Sequence, residues 1–154
     1  MLKQLIEKDL KDSMLSRDEL KRSVLRMLIS SIRNKEIELQ KKDSGLLDEE
    51  VQAVITSEVK RRKDSIAEFE KGGRKDLVDS ENDELQILAS YLPPELSDDE
   101  IKEIVVAGIK ESNATSQKDF GNAMRAIMPL VKGKASGERV SAILKDQLSL
   151  IHND

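Results

Sequence analysis

The chain has 154 residues, enough for one ordinary domain or two small ones, and 36% of them are charged against 38% that are apolar. It contains no cysteine, which excludes a disulfide framework and a thiolate metal site, and no apolar run approaches the ~18 residues that span a membrane. The formal net charge of -4 excludes a general attraction for nucleic acid or anionic lipid, so such binding would need a local basic patch.

Apolar residues recur at helical spacing from the start of the chain. The first run, Leu2 to Met14, predicts a short amphipathic helix that packs on a bundle. Ser16 and Glu19 have the spacing of a capping box, which predicts that Ser16 begins a second, long helix. We expect that helix to continue to about Lys42 and to stop before Gly45.

Two further helices are expected before residue 93. Asp48 is predicted to begin the third helix, and the pair Gly72 and Gly73 forms the break after it. A fourth helix is predicted from about Asp76, with a leucine-rich face. Three long helices and a short leading one can bury their apolar stripes against each other as a bundle.

The pair Pro93 and Pro94 is the strongest break in the chain, because neither residue has an amide to donate and the first disfavours helix in the residue before it. We therefore predict an all-α fold of two helical domains. The N-terminal four-helix bundle is expected over residues 1–92, and a C-terminal three-helix domain over residues 95–154.

Three serines are predicted to cap elements of the C-terminal domain. Ser97 with Glu100 and Ser116 with Asp119 have capping-box spacing, and Ser136 precedes the last apolar run. The middle helix of this domain is expected to end near Pro129.

The residues of common catalytic sites are scarce. The single histidine, His152, lies next to the end of the chain, where an ordered catalytic triad is not expected, and we interpret it as a solvated residue. A nucleotide loop of the form G-x-x-x-x-G-K-[ST] is missing, because Lys134 is followed by Ala135. We predict no catalytic residues, no metal site and no cofactor.

Two basic features lie in the N-terminal part. Arg22, Arg26 and Arg33 project within about 40° of each other on the second helix, at 100° per residue. Residues 60–63 form a run of four basic residues, but consecutive helix positions diverge, so the run wraps around its helix. Both are also consistent with solvated helix faces.

A third basic feature lies between residues 117 and 147, which carry six basic residues against three acidic ones, a net charge of +3. Its centre is a turn with glycines that leads into a helix N-terminus, where free amides favour phosphate. The simpler interpretation is a tight connection between helices. With three aromatic residues in the chain, base stacking is not expected, which leaves recognition of the shape and phosphates of a folded RNA. The candidate RNA-binding residues are Lys118, Arg125, Lys132, Gly133, Lys134, Ser136 and Arg139.

Six segments together resemble the YqeY family, the GatB/YqeY group. They are SVLRML at 23–28, IRNKEIE at 32–38, EFEKGGRKDL at 68–77, YLPPELS at 91–97, GNAM at 121–124 and KGKASGERV at 132–140. The chain is also similar to the tail of the B subunit of the tRNA-dependent aspartyl/glutamyl amidotransferase. The resemblance implies a helical N-terminal domain joined to a three-helix C-terminal domain, and a tail that contacts tRNA.

The resemblance also implies an association with a carbon-nitrogen ligase that uses glutamine as amido donor, although the active sites of that enzyme lie outside the tail. We therefore expect tRNA, and tRNA-charging or amidotransferase proteins, as partners, and neither a membrane nor a metal. A protein-interaction module without an RNA role is the alternative. We predict a cytoplasmic location.

Overall fold

The computed structural model describes residues 1–151, and this part of the chain is all-helical, as predicted. Seven α-helices and one short 3₁₀ turn follow each other along it. The chain divides into two compact units, the first over Met1–Leu92 and the second from Pro93 onward. His152 lies outside the described residues.

The first unit contains four helices: α1 over Leu2–Leu15, α2 over Glu19–Glu38, α3 over Asp48–Lys71 and α4 over Lys75–Ala89. Helix α1 packs along α2, and α3 packs along α4. The core is formed by aliphatic side chains that repeat every three or four residues, which keeps them on one face of each helix. The buried apolar residues are Ile6, Val24, Leu25, Leu28, Ile29, Ile32, Val51, Ile55, Val59 and Leu88.

Carboxylates inside the first unit are paired. The nearly buried Glu36 accepts a 2.6 Å hydrogen bond from Lys3 Nζ, which ties α1 to α2. Arg62 Nη1 on α3 contacts both Glu81 and Glu84 on α4. The phenol of Tyr91, just after α4, donates to Asp9 on α1 at 2.6 Å. Pairing of this kind offsets part of the cost of removing charged groups from water, and each pair joins two helices or a helix and the segment after α4.

Two predicted boundaries of α2 are wrong. Ser16 does not cap this helix, because α1 extends to Leu15 and Ser16 terminates it. Asp18 is the N-cap instead, and its carboxylate accepts from the Lys21 amide at 3.1 Å. The helix also ends at Glu38, earlier than the predicted Lys42, because Gln40 adopts a positive φ of 56° and the chain reverses there.

The second unit contains α5 over Asp98–Ser112, the 3₁₀ turn over Gln117–Asp119, α6 over Phe120–Val131 and α7 over Gly137–Ile151. The three helices pack on one another around a single aliphatic core. Its buried residues are Ile101, Val105, Ile109, Ala114, Ala123, Ile127, Val131, Val140, Leu144 and Leu148. Helix α6 continues two residues beyond Pro129, where its end was predicted.

The predicted caps of the second unit are confirmed. Ser97 accepts from the Glu100 amide at 3.2 Å while the Glu100 carboxylate accepts from the Ser97 amide at 2.8 Å. Ser116 and Asp119 close the 3₁₀ turn in the same reciprocal way.

Helices α5 and α6 approach closely at Gly108. A Cβ atom there would lie 2.4 Å from Cγ1 of the buried Ile127, so this contact needs a residue without a side chain.

Candidate nucleic-acid interface

The turn between α6 and α7 is held by its own backbone. Lys132 leaves the helix with ψ of 124°, and Gly133 adopts a positive φ of 77°, a conformation that glycine takes without strain. The amides of Lys134 and Ala135 then donate to the carbonyl of Val131 at 2.8 and 3.1 Å. The chain therefore reverses within a few residues, in a shape that its backbone hydrogen bonds specify.

Two further hydrogen bonds attach this turn to its surroundings. The carbonyl of Lys134 accepts from the Leu96 amide at 2.8 Å, which joins the turn to the segment just after the two prolines. The hydroxyl of Ser136 accepts from the Arg139 amide at 3.3 Å and caps the start of α7, as predicted. Ser136 therefore shapes the turn by capping a helix.

The side chains of Lys132 and Lys134 carry the charge of this turn. Both residues are exposed, and within residues 1–151 neither forms an ion pair. Gly133 between them is exposed as well and has open space where a Cβ would be. The lysine turn, which we define as Lys132–Ser136, thus presents two positive charges without ion-pair partners on a hydrogen-bonded backbone.

Arg139 belongs to the predicted set, but its guanidinium is used inside the second unit. It donates to the Leu96 carbonyl at 2.9 Å, to Asp98 at 2.7 Å and to Glu95 at 3.3 Å. The neighbouring Asp98 raises the pKa of Arg139 further above its ordinary value. Two carboxylates balance the charge, so Arg139 fixes the start of α5 against α7.

Lys118 and Arg125 are exposed but do not join the lysine turn. Lys118 lies in the 3₁₀ turn before α6, and Lys132 follows the last residue of that helix. At 1.5 Å per residue the two lysines are about 20 Å apart along the axis, with Arg125 halfway between them. Four of the predicted residues, from Lys132 to Ser136, therefore form one compact group, whereas Lys118 before α6 and Arg125 on α6 are separate exposed charges.

Sequence reasoning missed the residues that support the turn. The Lys134 carbonyl is bound by Leu96, and the Arg139 guanidinium is bound by Glu95 and Asp98. Each of these partners precedes the residue that it binds by about 40 positions. Local patterns carry no signal for contacts over that separation. Asp98 carries a partial signal, because it belongs to the acidic first turn of α5. An arginine on a neighbouring helix could reach a carboxylate in that position.

Neither a metal cluster nor a membrane span is found in the part of the chain that the structure describes. Over that part, no three His, Asp or Glu side chains are grouped so that they could hold a metal ion. Among the same residues, no helix combines the length and the apolar character needed to cross a bilayer.

Comparison with known proteins gives one family. A family model described as "Yqey-like protein" matches residues 3–148. The chain is 40% identical to altered inheritance of mitochondria protein 41, mitochondrial, of Lachancea thermotolerans, over 73% of this chain and 62% of that protein. The protein of the same name from Kluyveromyces lactis is 41% identical over the same shares, and that of Saccharomyces cerevisiae is 36% identical over 57% of this chain and 46% of its own length.

The chain thus spans less than two thirds of the curated relatives that it matches. The names of these relatives place them in mitochondria, so the predicted cytoplasmic location is wrong. That prediction used the lack of cysteine. This feature agrees with a reducing compartment, but it does not distinguish the cytosol from the interior of a mitochondrion.

Proposed function

The chain belongs to the family of Yqey-like proteins, and from this premise we propose that it is a helical module that contacts RNA, with tRNA as its ligand. One observation carries this function: Lys132 and Lys134 are exposed on a turn held by backbone hydrogen bonds and have no ion pair within residues 1–151. Phosphate oxygens would supply the missing negative charge.

The geometry of the lysine turn suits a phosphate for two reasons. Gly133 has no side chain to block the approach of a ligand to the backbone. The first turn of α7 directly follows, and the free amides of a helix N-terminus favour an anion. Because the whole chain carries a net charge of -4, attraction for RNA would be confined to this local surface.

The aromatic residues support recognition of a folded RNA rather than of single-stranded bases. Phe69, Tyr91 and Phe120 are all half-buried. The Tyr91 phenol is bound to Asp9, and Lys145 Nζ lies 5.8 Å from the ring centre of Phe120. Stacking platforms for single-stranded bases need exposed rings, whereas phosphate contacts to a folded RNA need only donors and charge.

We infer that partner proteins, and not this chain, carry out the reaction associated with this binding. A glutamine-dependent amidation of misacylated tRNA, the reaction of a carbon-nitrogen ligase, would be performed by amidotransferase or tRNA-charging proteins that bind the same tRNA. The purified chain should therefore show no glutamine-dependent conversion of misacylated tRNA by itself. Conversion that survives removal of all other proteins would contradict this division of roles.

A fluorescence-anisotropy titration of purified total tRNA tests the binding. The full chain should bind at low salt and lose affinity steeply toward physiological salt, because phosphate contacts release counterions. The double variant K132E/K134E should lower the affinity about tenfold or more, which corresponds to ~1.4 kcal/mol. The matched control is K60E/K75E, which reverses two exposed lysines in the first unit.

Equal affinities for K132E/K134E and K60E/K75E would remove the lysine turn from the interface. Failure of the unaltered chain to bind tRNA even at low salt would contradict the RNA function as a whole.

A protein-binding function is the second candidate, and one observation favours it. Val106 on α5 and Leu150 and Ile151 on α7 line a groove of the second unit and are 44, 58 and 38% exposed. Exposed apolar side chains grouped in this way are typical of interaction surfaces. Recovery of a defined partner after nuclease treatment, lost in the variant V106E/L150E, would favour this function.

A further inference from the structure

A row of arginines lies on α2, in the first unit, and is not part of the lysine turn. Arg22, Arg26 and Arg33 lie on one side of this helix, and Arg26 and Arg33 are exposed. Ser30, also exposed, lies between them, so that residues 26, 30 and 33 have the i, i+4, i+7 spacing of one helix face. The side chains of Arg26, Ser30 and Arg33 therefore form one continuous polar surface.

The two exposed arginines of this row differ from most other arginines of the chain. Arg61, Arg62, Arg74 and Arg139 each lie within 4.0 Å of a carboxylate. Over residues 1–151, Arg26 and Arg33 form no such pair. In a chain with 30 acidic residues against 26 basic ones, two neighbouring arginines without carboxylate partners leave a local excess of positive charge.

The same residues line a groove between α1 and α2. Leu10 and Ile29 are its apolar residues, Arg26, Ser30 and Arg33 line it from α2, and Glu7 lines it from α1. Arg26 and Arg33 are seven residues apart, or about 10 Å along the helix axis. This separation lets the two guanidinium groups contact separate anionic groups of one extended ligand.

We propose that Arg26, Ser30 and Arg33 form a second contact site for the phosphate backbone of RNA, on the first unit. A guanidinium presents a planar fork of donors that matches two phosphate oxygens, and the Ser30 hydroxyl can donate between the two forks. This second site rests on the proposed RNA function, and it is a contact surface separate from the lysine turn.

Glu7 distinguishes RNA from an acidic peptide as occupant of the groove. A peptide with acidic residues toward the arginines could place a basic residue toward Glu7, so Glu7→Gln would weaken its binding. A phosphate backbone has no positive group to offer, so Glu7 only repels it. The change Glu7→Gln should therefore tighten the binding of RNA.

The test is an anisotropy titration of purified total tRNA with the full chain at several salt concentrations. The variant R26Q/R33Q should flatten the plot of log affinity against log salt by about 1.5, the loss expected for two phosphate contacts. The matched control K60Q/K75Q removes two exposed charges from the same unit and should leave the slope unchanged. The single variant E7Q should bind several-fold more tightly than the unaltered chain.

The outcomes separate this site from the proposed function. If the unaltered chain binds tRNA and R26Q/R33Q behaves like K60Q/K75Q, the second site is overturned while the RNA function stands. If E7Q weakens or does not change tRNA binding, the groove does not hold a phosphate backbone. If the unaltered chain does not bind tRNA at all, the RNA function fails first and the second site fails with it.

Discussion

The phenol of Tyr91 donates a 2.6 Å hydrogen bond to the carboxylate of Asp9, a residue 82 positions earlier in the chain. The bond attaches the segment after α4 to α1, so the last residues of the first unit are held by its first helix. Burial, and then the neighbouring Asp9, raise the pKa of Tyr91 well above its ordinary value of 10.0. This contact is local to the first unit and can be tested directly.

We expect Tyr91→Phe to lower the free energy of unfolding by about 1 to 2 kcal/mol, because the ring is kept while a hydrogen bond to a charged group is lost. Chemical denaturation of the two proteins measures this difference. Asp9→Asn should have a smaller effect, because the amide oxygen still accepts from the phenol. Equal stability of Tyr91→Phe and the unaltered chain would show that the bond contributes nothing net.

The ionisation of Tyr91 can be followed without interference, because the chain has one tyrosine and no tryptophan. A group whose pKa is raised on folding stabilises the fold below its unfolded pKa, and that contribution is lost as the pH rises through the folded pKa. The tyrosinate absorbance of the folded chain should therefore appear above pH 10 and coincide with alkaline unfolding. In Asp9→Asn the midpoint should fall only in part, because burial is the larger cause.

Gly108→Ala tests the close approach of α5 and α6. Alanine favours helix over glycine by about 1 kcal/mol, but the new Cβ would overlap Ile127, and overpacking a core costs about 1 to 3 kcal/mol. We expect a net loss of stability, measured by thermal unfolding. The matched control is Gly121→Ala on α6, where nothing lies within 4 Å of the added Cβ and stability should rise slightly.

The lowered pKa of Asp119 predicts that the stability of the second unit depends on pH. Hydrogen bonds from the Thr115 amide, and then from the Ser116 amide and the Thr115 hydroxyl, lower the pKa of Asp119 below its ordinary value of 3.8. A lowered pKa adds stability above the unfolded pKa, and this stability is lost as the pH falls through the folded pKa. Asp119→Asn should therefore be less stable at neutral pH and should approach the unaltered chain below about pH 3.8.

The exposed Asp146 of α7 offers a control for the same chemical change. Asp146→Asn should leave the stability at neutral pH nearly unchanged, because this side chain is exposed. A constant difference between Asp119→Asn and the unaltered chain across the acid range would contradict a role for the charged form.

The variant Arg139→Gln tests whether Arg139 stabilises the second unit or contacts RNA. Since its guanidinium contacts Glu95, Asp98 and the Leu96 carbonyl, we expect a lower melting temperature and little change in the salt dependence of tRNA binding. Arg125→Gln, a change of the same kind at an exposed arginine, should leave the melting temperature unchanged. The opposite pattern would assign Arg139 to the RNA surface.

Local sequence patterns predicted most of the fold. The helices and the caps at Ser97, Ser116 and Ser136 depend on residues within a few positions of each other, and the structure has them. Ser16 failed as a cap because Asp18, an equally good N-cap residue, lies two positions later and α1 extends further than its apolar pattern required. The family resemblance is confirmed by the match over residues 3–148.

The candidate site was predictable from the sequence only where its residues are adjacent in the chain. The lysine turn follows from adjacent residues, whereas the use of Arg139 depends on Asp98, 41 positions away. Lys118 and Lys132 belong to the same basic stretch of sequence, yet a whole helix separates them, because charge counted along a sequence ignores the rise of the helix between two residues.

The backbone bonds of the lysine turn make its shape independent of its charge. Val131, Leu96 and Ser136 hold the turn through main-chain atoms and a cap, so the side chains at 132 and 134 are not needed for its shape. Both lysines of this chain can therefore be replaced, even by acids, without loss of the fold. The charge that the turn offers to a ligand can change while the backbone beneath it keeps its shape.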